Sequence, residues 1–378
     1  MRRFPHGAIP LLALFALSAC SLFTSNTKPL PGLKAVAGMK TLLPRWHIDI
    51  GDGGKVPLSP ALSGGTVYFA RSTGDVEAVD AETGKSIWRT SLKLALSGGV
   101  GAGSDAVAVG TVQGDVILLD GQGKLRWQVA SGGSEITAAP IISDNVVVAR
   151  TGDGKLVAFG LADGKRKWSV ERPLPPLTLY RASSALATRG AVFAGLPGGK
   201  LIAITLDQGK VGWEASVALP RGATELERVA DVTGPPVAGA KDVCAATYQG
   251  RVACFDASNG NTLWSREASS VSGLGADTGQ VYVADEKGVV YAWDRDSGAP
   301  SWKDEEYSGR RLIGATAAAG MVVTGDLQGY VHWLDRADGK TVARAATDGS
   351  SIGQQPLFLG DGVLVLTRKG GLYAFPMP

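Results

Sequence analysis

The chain has 378 residues, 44% hydrophobic and 19% charged, with 52 glycines; high glycine and low charge exclude a coiled coil and a disordered polypeptide, and the glycines lack collagen's every-third spacing. A formal charge of +3 from 38 basic and 35 acidic side chains, with no dense Lys/Arg run, gives no footprint for nucleic acid. Three His and three Cys leave little material for zinc or haem ligation.

Arg2 and Arg3 open the chain, and an apolar stretch from Ala8 to Ala19 follows, too short to span a bilayer of roughly 30 Å. This is the layout of a secretory signal. Its end, Leu17-Ser18-Ala19-Cys20, resembles the lipobox of bacterial lipoproteins, which implies a signal peptide over residues 1–19 and lipid on Cys20. Ser21 stands where Asp would imply retention at the inner membrane, so the resemblance implies a lipid anchor at the periplasmic face of a Gram-negative outer membrane. Residues 20–43 are polar, contain Pro and Gly, and show no clear periodicity. They read as a flexible tether with a reach on the order of 25 Å. A folded domain is expected over residues 44–378.

That domain is a repeat. A β-rich run, a Gly turn, a second apolar run, a polar-Gly turn and a Trp recur, most clearly from Val67 to Trp88. The first-turn glycines are Gly74, Gly114, Gly154, Gly199, Gly250, Gly288, Gly329 and Gly370, which makes eight copies. Trp88, Trp127, Trp168, Trp213, Trp264 and Trp302 stand in register after the second turn, while the seventh copy has Ala343 in that place. Val/Ile/Tyr/Phe runs bounded by Gly turns are hairpin signals. One such sheet cannot bury its own face, whereas sheets stacked radially bury each other. An all-β, eight-bladed propeller of four-stranded antiparallel blades is therefore expected, with each Trp wedged between blades. The eighth copy stops at Pro378 where its Trp strand should follow, and an unpaired Trp46 lies near the start. The N-terminal strand is predicted to complete the last blade. An open solenoid is the alternative, at the cost of two unprotected sheet edges.

Catalytic readings find little support. Gly349-Ser350-Ser351-Ile352-Gly353 matches G-x-S-x-G, but lies between β elements where a nucleophile elbow needs a strand-to-helix turn and a His. His47 and His332 both fall in predicted strands. Asp80, Asp120, Asp256, Asp294 and Asp335 occupy one slot before a Gly turn, where Asp caps its own backbone; equivalent slots on different blades lie too far apart for one calcium site. Cys244 and Cys254 flank the Gln249-Gly250 turn with equal parity, which places them on one face as cross-strand neighbours. A disulfide and two buried thiols both remain open.

Two insertions break the roughly forty-residue spacing: Gly154 to Gly199 is 45 residues and Gly199 to Gly250 is 51. Both fall after a Trp strand, so both should emerge on the same face from adjacent blades, where repeat proteins carry recognition. The first, Arg172 to Arg181, offers Leu177, Leu179, Tyr180 and Arg181 on a Pro-stiffened segment. The second, Thr224 to Thr233, includes Asp231 and reads as one helical turn with charges of both signs. Apolar side chains rimmed by Arg and Asp describe a protein-binding patch; leucines folded back onto the disk are the other reading.

Ala78-x-Asp80-x-x-Thr83-Gly84-Lys85-x-x-Trp88 resembles the tryptophan-docking repeat of pyrroloquinoline quinone dehydrogenases. Those enzymes carry an adjacent Cys-Cys pair over the cofactor, which this sequence lacks, as it lacks a C-x-x-C-H haem site. The lipobox, the eight quinoprotein-type repeats, Pro175-Pro176-Leu177-Thr178-Leu179 and Thr224-Glu225-Leu226-Glu227-Arg228-Val229-Ala230-Asp231-Val232 together resemble the BamB family of propeller lipoproteins. That resemblance implies a scaffold without catalytic residues, cofactor or metal. It implies docking onto the periplasmic POTRA domains of BamA, contact with other BAM complex subunits and with unfolded barrel clients, and help in inserting β-barrels into the outer membrane. By position it implies Leu177 and Leu179 as apolar anchors, Tyr180 or Arg181 as a polar contact, and Asp231 as the acidic partner. Tyr180 stands where the family pattern has Arg, and Thr233 where it has a second Asp. A quinone-dependent dehydrogenase and a cell-wall glycan binder are the alternatives from other classes.

Overall fold

The computed structural model describes residues 30–51, 57–179 and 184–378. Among them the strands form eight sheets, seven of four strands and one of five, six of them built entirely from consecutive antiparallel strands. The first blade comprises Ala61–Ser63, Thr66–Ala70, Asp75–Asp80 and Ser86–Ser91, and the same order repeats seven times. Innermost strands of successive blades touch around a common axis. The two middle strands of each blade are buried on both faces, as in Thr66–Ala70 and Asp75–Asp80, because a neighbouring blade covers each side. Only the outermost strands alternate between covered and exposed positions, and there the Trp points inward.

Tryptophan sets the joint between blades. The Trp213 indole lies against Gly260 of the next blade, a glycine at φ 77° whose missing Cβ would stand 2.7 Å from the ring. No other residue fits there, since both the left-handed backbone and the space demand glycine. The indole Nε1 then donates to the carbonyl of Ala257 at 3.0 Å in that same blade. Trp88, Trp127, Trp168, Trp264 and Trp302 repeat both contacts on Gly123, Gly164, Gly209, Gly298 and Gly339. In the first seven blades a bulge precedes the Trp position, leaving one outer-strand residue unpaired; Ile87 and Leu263 are turned out to solvent this way.

The ring closes as the sequence predicts. Trp46–Asp49 pairs antiparallel with Gly371–Pro376 as the outermost strand of the eighth blade. Trp46 packs on Gly84 of the first blade and donates to the Ala81 carbonyl at 3.0 Å, the same dock the other indoles make. One blade departs from the four-stranded expectation: Lys40–Thr41, within the stretch read as tether, adds a parallel fifth strand to the outer edge of the seventh blade at Ala343 and Arg344. The reason lies at that joint. The eighth blade takes its outer strand from the N-terminus and so has no second turn on which a seventh-blade Trp could dock. Ala343 stands there instead, and Leu42 and Met377 pack against the same apolar cluster.

Cys244 and Cys254 are directly opposed across two strands of the fifth blade, with Cα atoms 4.0 Å apart, and are joined as a disulfide. Both residues are fully buried.

Two outcomes follow for stability. Trp213→Ala, which empties a buried inter-blade site, is expected to cost about 3–5 kcal/mol in denaturant unfolding; an unchanged midpoint would remove the wedge role. Replacing Cys244 and Cys254 together by Ser is expected to cost about 2–3 kcal/mol by the loop-entropy relation for a ten-residue loop. In the unsubstituted protein, thiol titration after denaturation without reductant should find neither Cys244 nor Cys254 free.

Candidate functional site

The two insertions emerge where their blades end. The first leaves the third blade after Arg166–Glu171 and enters the fourth at Leu186–Thr188; the second leaves after Val211–Ser216 and enters the fifth at Val237–Ala238. Each covers the first-turn glycine of the blade it leaves. Leu174 and the Arg172 carbonyl lie over Gly154, and the Ala218 and Ala230 carbonyls over Gly199. Both connectors thus stand on the first-turn face of the disk, side by side.

Arg172 reaches across to Glu214 on the outer strand of the fourth blade, at 3.2 Å, where Lys200 also binds at 2.6 Å. The Lys200 ammonium, followed by Arg172, holds the Glu214 carboxyl below its usual range. In the second insertion Thr224 and Glu227 form a reciprocal cap. Glu227 accepts from the amides of Ala223 and Thr224 at 2.7 and 3.1 Å, and its own amide donates to Thr224 Oγ1 at 3.3 Å. The amide bond from Thr224 is the main reason the Glu227 carboxyl sits low. A single turn results, closed by the Arg228 amide on the Thr224 carbonyl at 3.2 Å, and the Arg228 guanidinium pairs with Glu225.

Side chains divide sharply at this turn. Leu226 points outward at 68% exposure, whereas Val229, Ala230 and Asp231 go inside. Leu174, Leu177, Leu179 and Leu219 are exposed as well, so five of the eleven exposed large hydrophobics among the described residues belong to these two connectors. Such a concentration on one face is the signature of a contact surface, since scattered apolar exposure would need no explanation.

Of the residues singled out from the sequence, Leu177 and Leu179 are exposed as expected. Tyr180, Arg181 and Cys20 lie outside the described residues. Asp231 is buried, at 4% exposure, and its carboxylate accepts the Leu179 amide at 2.6 Å and the Gly198 amide at 2.9 Å. It therefore joins the two insertions rather than facing solvent. Thr233 donates its hydroxyl to the Ser270 carbonyl at 2.7 Å, tying the second insertion to the connector that follows the fifth blade. Sequence reasoning missed Leu174, Leu219 and Leu226 as exposed apolar groups. The signal for Leu226 was present: it is the single apolar residue inside a Thr-x-x-Glu cap.

Elsewhere the chemistry-bearing residues are occupied structurally. Ser351 donates to the Ile352 carbonyl at 3.0 Å. His332 is fully buried, its Nε2 on Asp326 at 3.1 Å and its Nδ1 accepting from Arg344 Nε at 3.2 Å. Asp80, Asp120, Asp256, Asp294 and Asp335 each accept a backbone amide of their own turn.

A disk of eight sheets locked by indole-on-glycine docks, carrying two apolar connectors on one face, defines a quinoprotein-type propeller. The chain belongs to the family of outer membrane protein assembly factor BamB, whose pattern matches residues 72–304. It is 39% identical over 371 residues to outer membrane protein assembly factor BamB of Bordetella pertussis, covering 97% of this chain and 96% of that one. Against the BamB of Burkholderia pseudomallei it is 37% identical, covering 99% and 98%. The crystal structure of BamB from Moraxella catarrhalis superposes with a TM-score of 0.80 at 24% identity, over 89% of this chain and all of that one. Quinohemoprotein alcohol dehydrogenase from Comamonas testosteroni shares the fold at a TM-score of 0.69 and 17% identity, over 90% of this chain and 77% of that chain.

Burial holds the His332 imidazole below its ordinary pKa of 6.5, against the pull of Asp326 and with Arg344 and Arg310 adding to the depression. The unfolded chain thus takes up a proton near pH 6.5 that the folded chain refuses. Stability from this site is complete above pH 6.5 and falls as pH drops through the window below it. Unfolding midpoints taken from pH 7.5 to 5.5 should show a decline that His332→Gln flattens; parallel curves for the two proteins would exclude this origin.

Proposed function

We propose that the chain is a non-catalytic scaffold of the β-barrel assembly machinery. In this reading residues 1–19 are a signal peptide, lipid on Cys20 anchors the protein at the periplasmic face of the outer membrane, and the residues after it tether the propeller. The two insertions dock onto the periplasmic POTRA domains of BamA, stiffening or orienting them while barrels insert. Leu177 and Leu179 are the apolar anchors, and Tyr180 or Arg181 supplies the polar contact. Thr233 and Asp231 belong to the same surface through the backbone they hold.

The observation that carries this reading is the pairing of two oversized connectors from adjacent blades, hydrogen-bonded to each other, with leucines turned outward. A rigid ring supports them, so their apolar groups are presented without an ordering cost at the moment of contact. Membership of the BamB family supports the choice of partner.

Leu177→Ala combined with Leu179→Ala is expected to weaken binding to the purified periplasmic region of BamA by about 10–100-fold, the range for central apolar anchors. Thermal unfolding should hardly change, because both side chains are already exposed. Unaltered affinity, measured by calorimetry or surface-immobilised binding, would defeat the assignment of the site.

A further inference from the structure

We propose that Arg150 and Asp231 form a buried brace that fixes the backbone of the first insertion, and that both serve docking as positioning residues without touching the partner. The consequence for docking rests on the reading given above; the brace itself does not.

Asp231 is held at three points. Its carbonyl accepts the Tyr248 amide of the fifth blade at 2.9 Å, and the next residue, Val232, bridges to Thr247. Its carboxylate accepts Gly198, in the first turn of the fourth blade, and Leu179, in the first insertion. Pro175 of that insertion packs over the same turn, 3.6 Å from where a Gly198 Cβ would stand. Asp231 therefore links the fourth blade and the insertion through its carboxylate and the fifth blade through its backbone carbonyl.

The third blade joins through Arg150, the last residue of Val146–Arg150. Its buried guanidinium donates to the Gly195 carbonyl of the fourth blade at 2.5 Å. Burial pulls that guanidinium down to about 10, and the negative charge of Asp231 works in the opposite direction. Two opposite charges are thus taken out of water together beneath the insertions, where each is costly without the other. A carboxylate with 4% exposure and a backbone donor on each oxygen has no free edge to offer a second protein. Its effect has to pass through the Leu179 amide, one bond from the Cα that carries an exposed leucine, with Leu177 two residues earlier.

Asp231→Asn tests this directly. The variant keeps the shape, removes the negative charge that offsets the buried Arg150, and turns an NH2 toward one of the two amide donors. Hydrogen exchange at the Leu179 amide, read by NMR, is expected to accelerate more than tenfold. Affinity for the periplasmic region of BamA should fall about tenfold, although both leucines are intact. Arg150→Met, which leaves the surface unaltered, should shift both readouts in the same direction, and it carries the test if Asp231→Asn does not fold. Loss of affinity with unchanged Leu179 exchange would overturn the brace, because the carboxylate would then act at the interface itself. Unchanged exchange in Arg150→Met would overturn it too. Faster exchange with undiminished affinity would leave the brace standing and sink the docking reading instead.

Discussion

The ring depends on one contact made seven times: an indole laid on a left-handed glycine of the following blade. Each partner specifies the other. A Cβ on any of these glycines would come within about 3 Å of the ring or less, and without the glycine the indole would lose both its seat and its carbonyl acceptor. An aromatic side chain brings a large apolar area to a joint between sheets and still needs a partner for its N–H. The turn carbonyl supplies that partner. Each dock links a blade to its successor, and the dock of Trp46 on the first blade closes the ring, so no terminal sheet is left exposed.

The eighth joint shows what happens where the contact cannot form. The last blade borrows its outer strand from the N-terminus, so it has no turn to receive an indole, and the seventh blade has Ala343. Leu42, Met377 and the short parallel strand fill the space. Beneath them the seventh blade contains a buried polar network: Arg310 on Asp326 at 2.7 Å, Asp326 on His332, and His332 on Arg344, which also reaches the Lys34 carbonyl. Such a network adds little net stability over an apolar core, yet it is satisfied in only one arrangement. Arg344 thereby ties the entering N-terminal segment to the one joint that no tryptophan secures.

The repeat made the architecture legible. Glycine spacing counted the blades, the orphan Trp46 and the truncated eighth copy predicted closure, and two long intervals located the insertions. What stayed hidden has physical causes. Lys40–Thr41 is a two-residue strand with no periodicity to detect. Equal parity placed Cys244 and Cys254 on one face but cannot distinguish a bond from a contact. Asp231 looked like a surface acid because an aspartate in a polar loop reads the same whether it meets water or two amides.

A propeller of this kind can change length only where a connector leaves the ring, since altering a strand or turn within a blade disturbs the two docks beside it. An inserted connector brings new amides and carbonyls with it, and those that face the protein must find partners. Here they find them in the cap of Thr224 and Glu227, the Arg172–Glu214 pair and the carboxylate of Asp231. Once the backbone is satisfied from within, leucines can stand beside the charged groups that face water, and they gain by being covered. In the proposed reading, a connector built in this way is ordered by polar bonds inside and made adhesive by apolar groups outside, and both properties serve to hold a partner at a fixed angle.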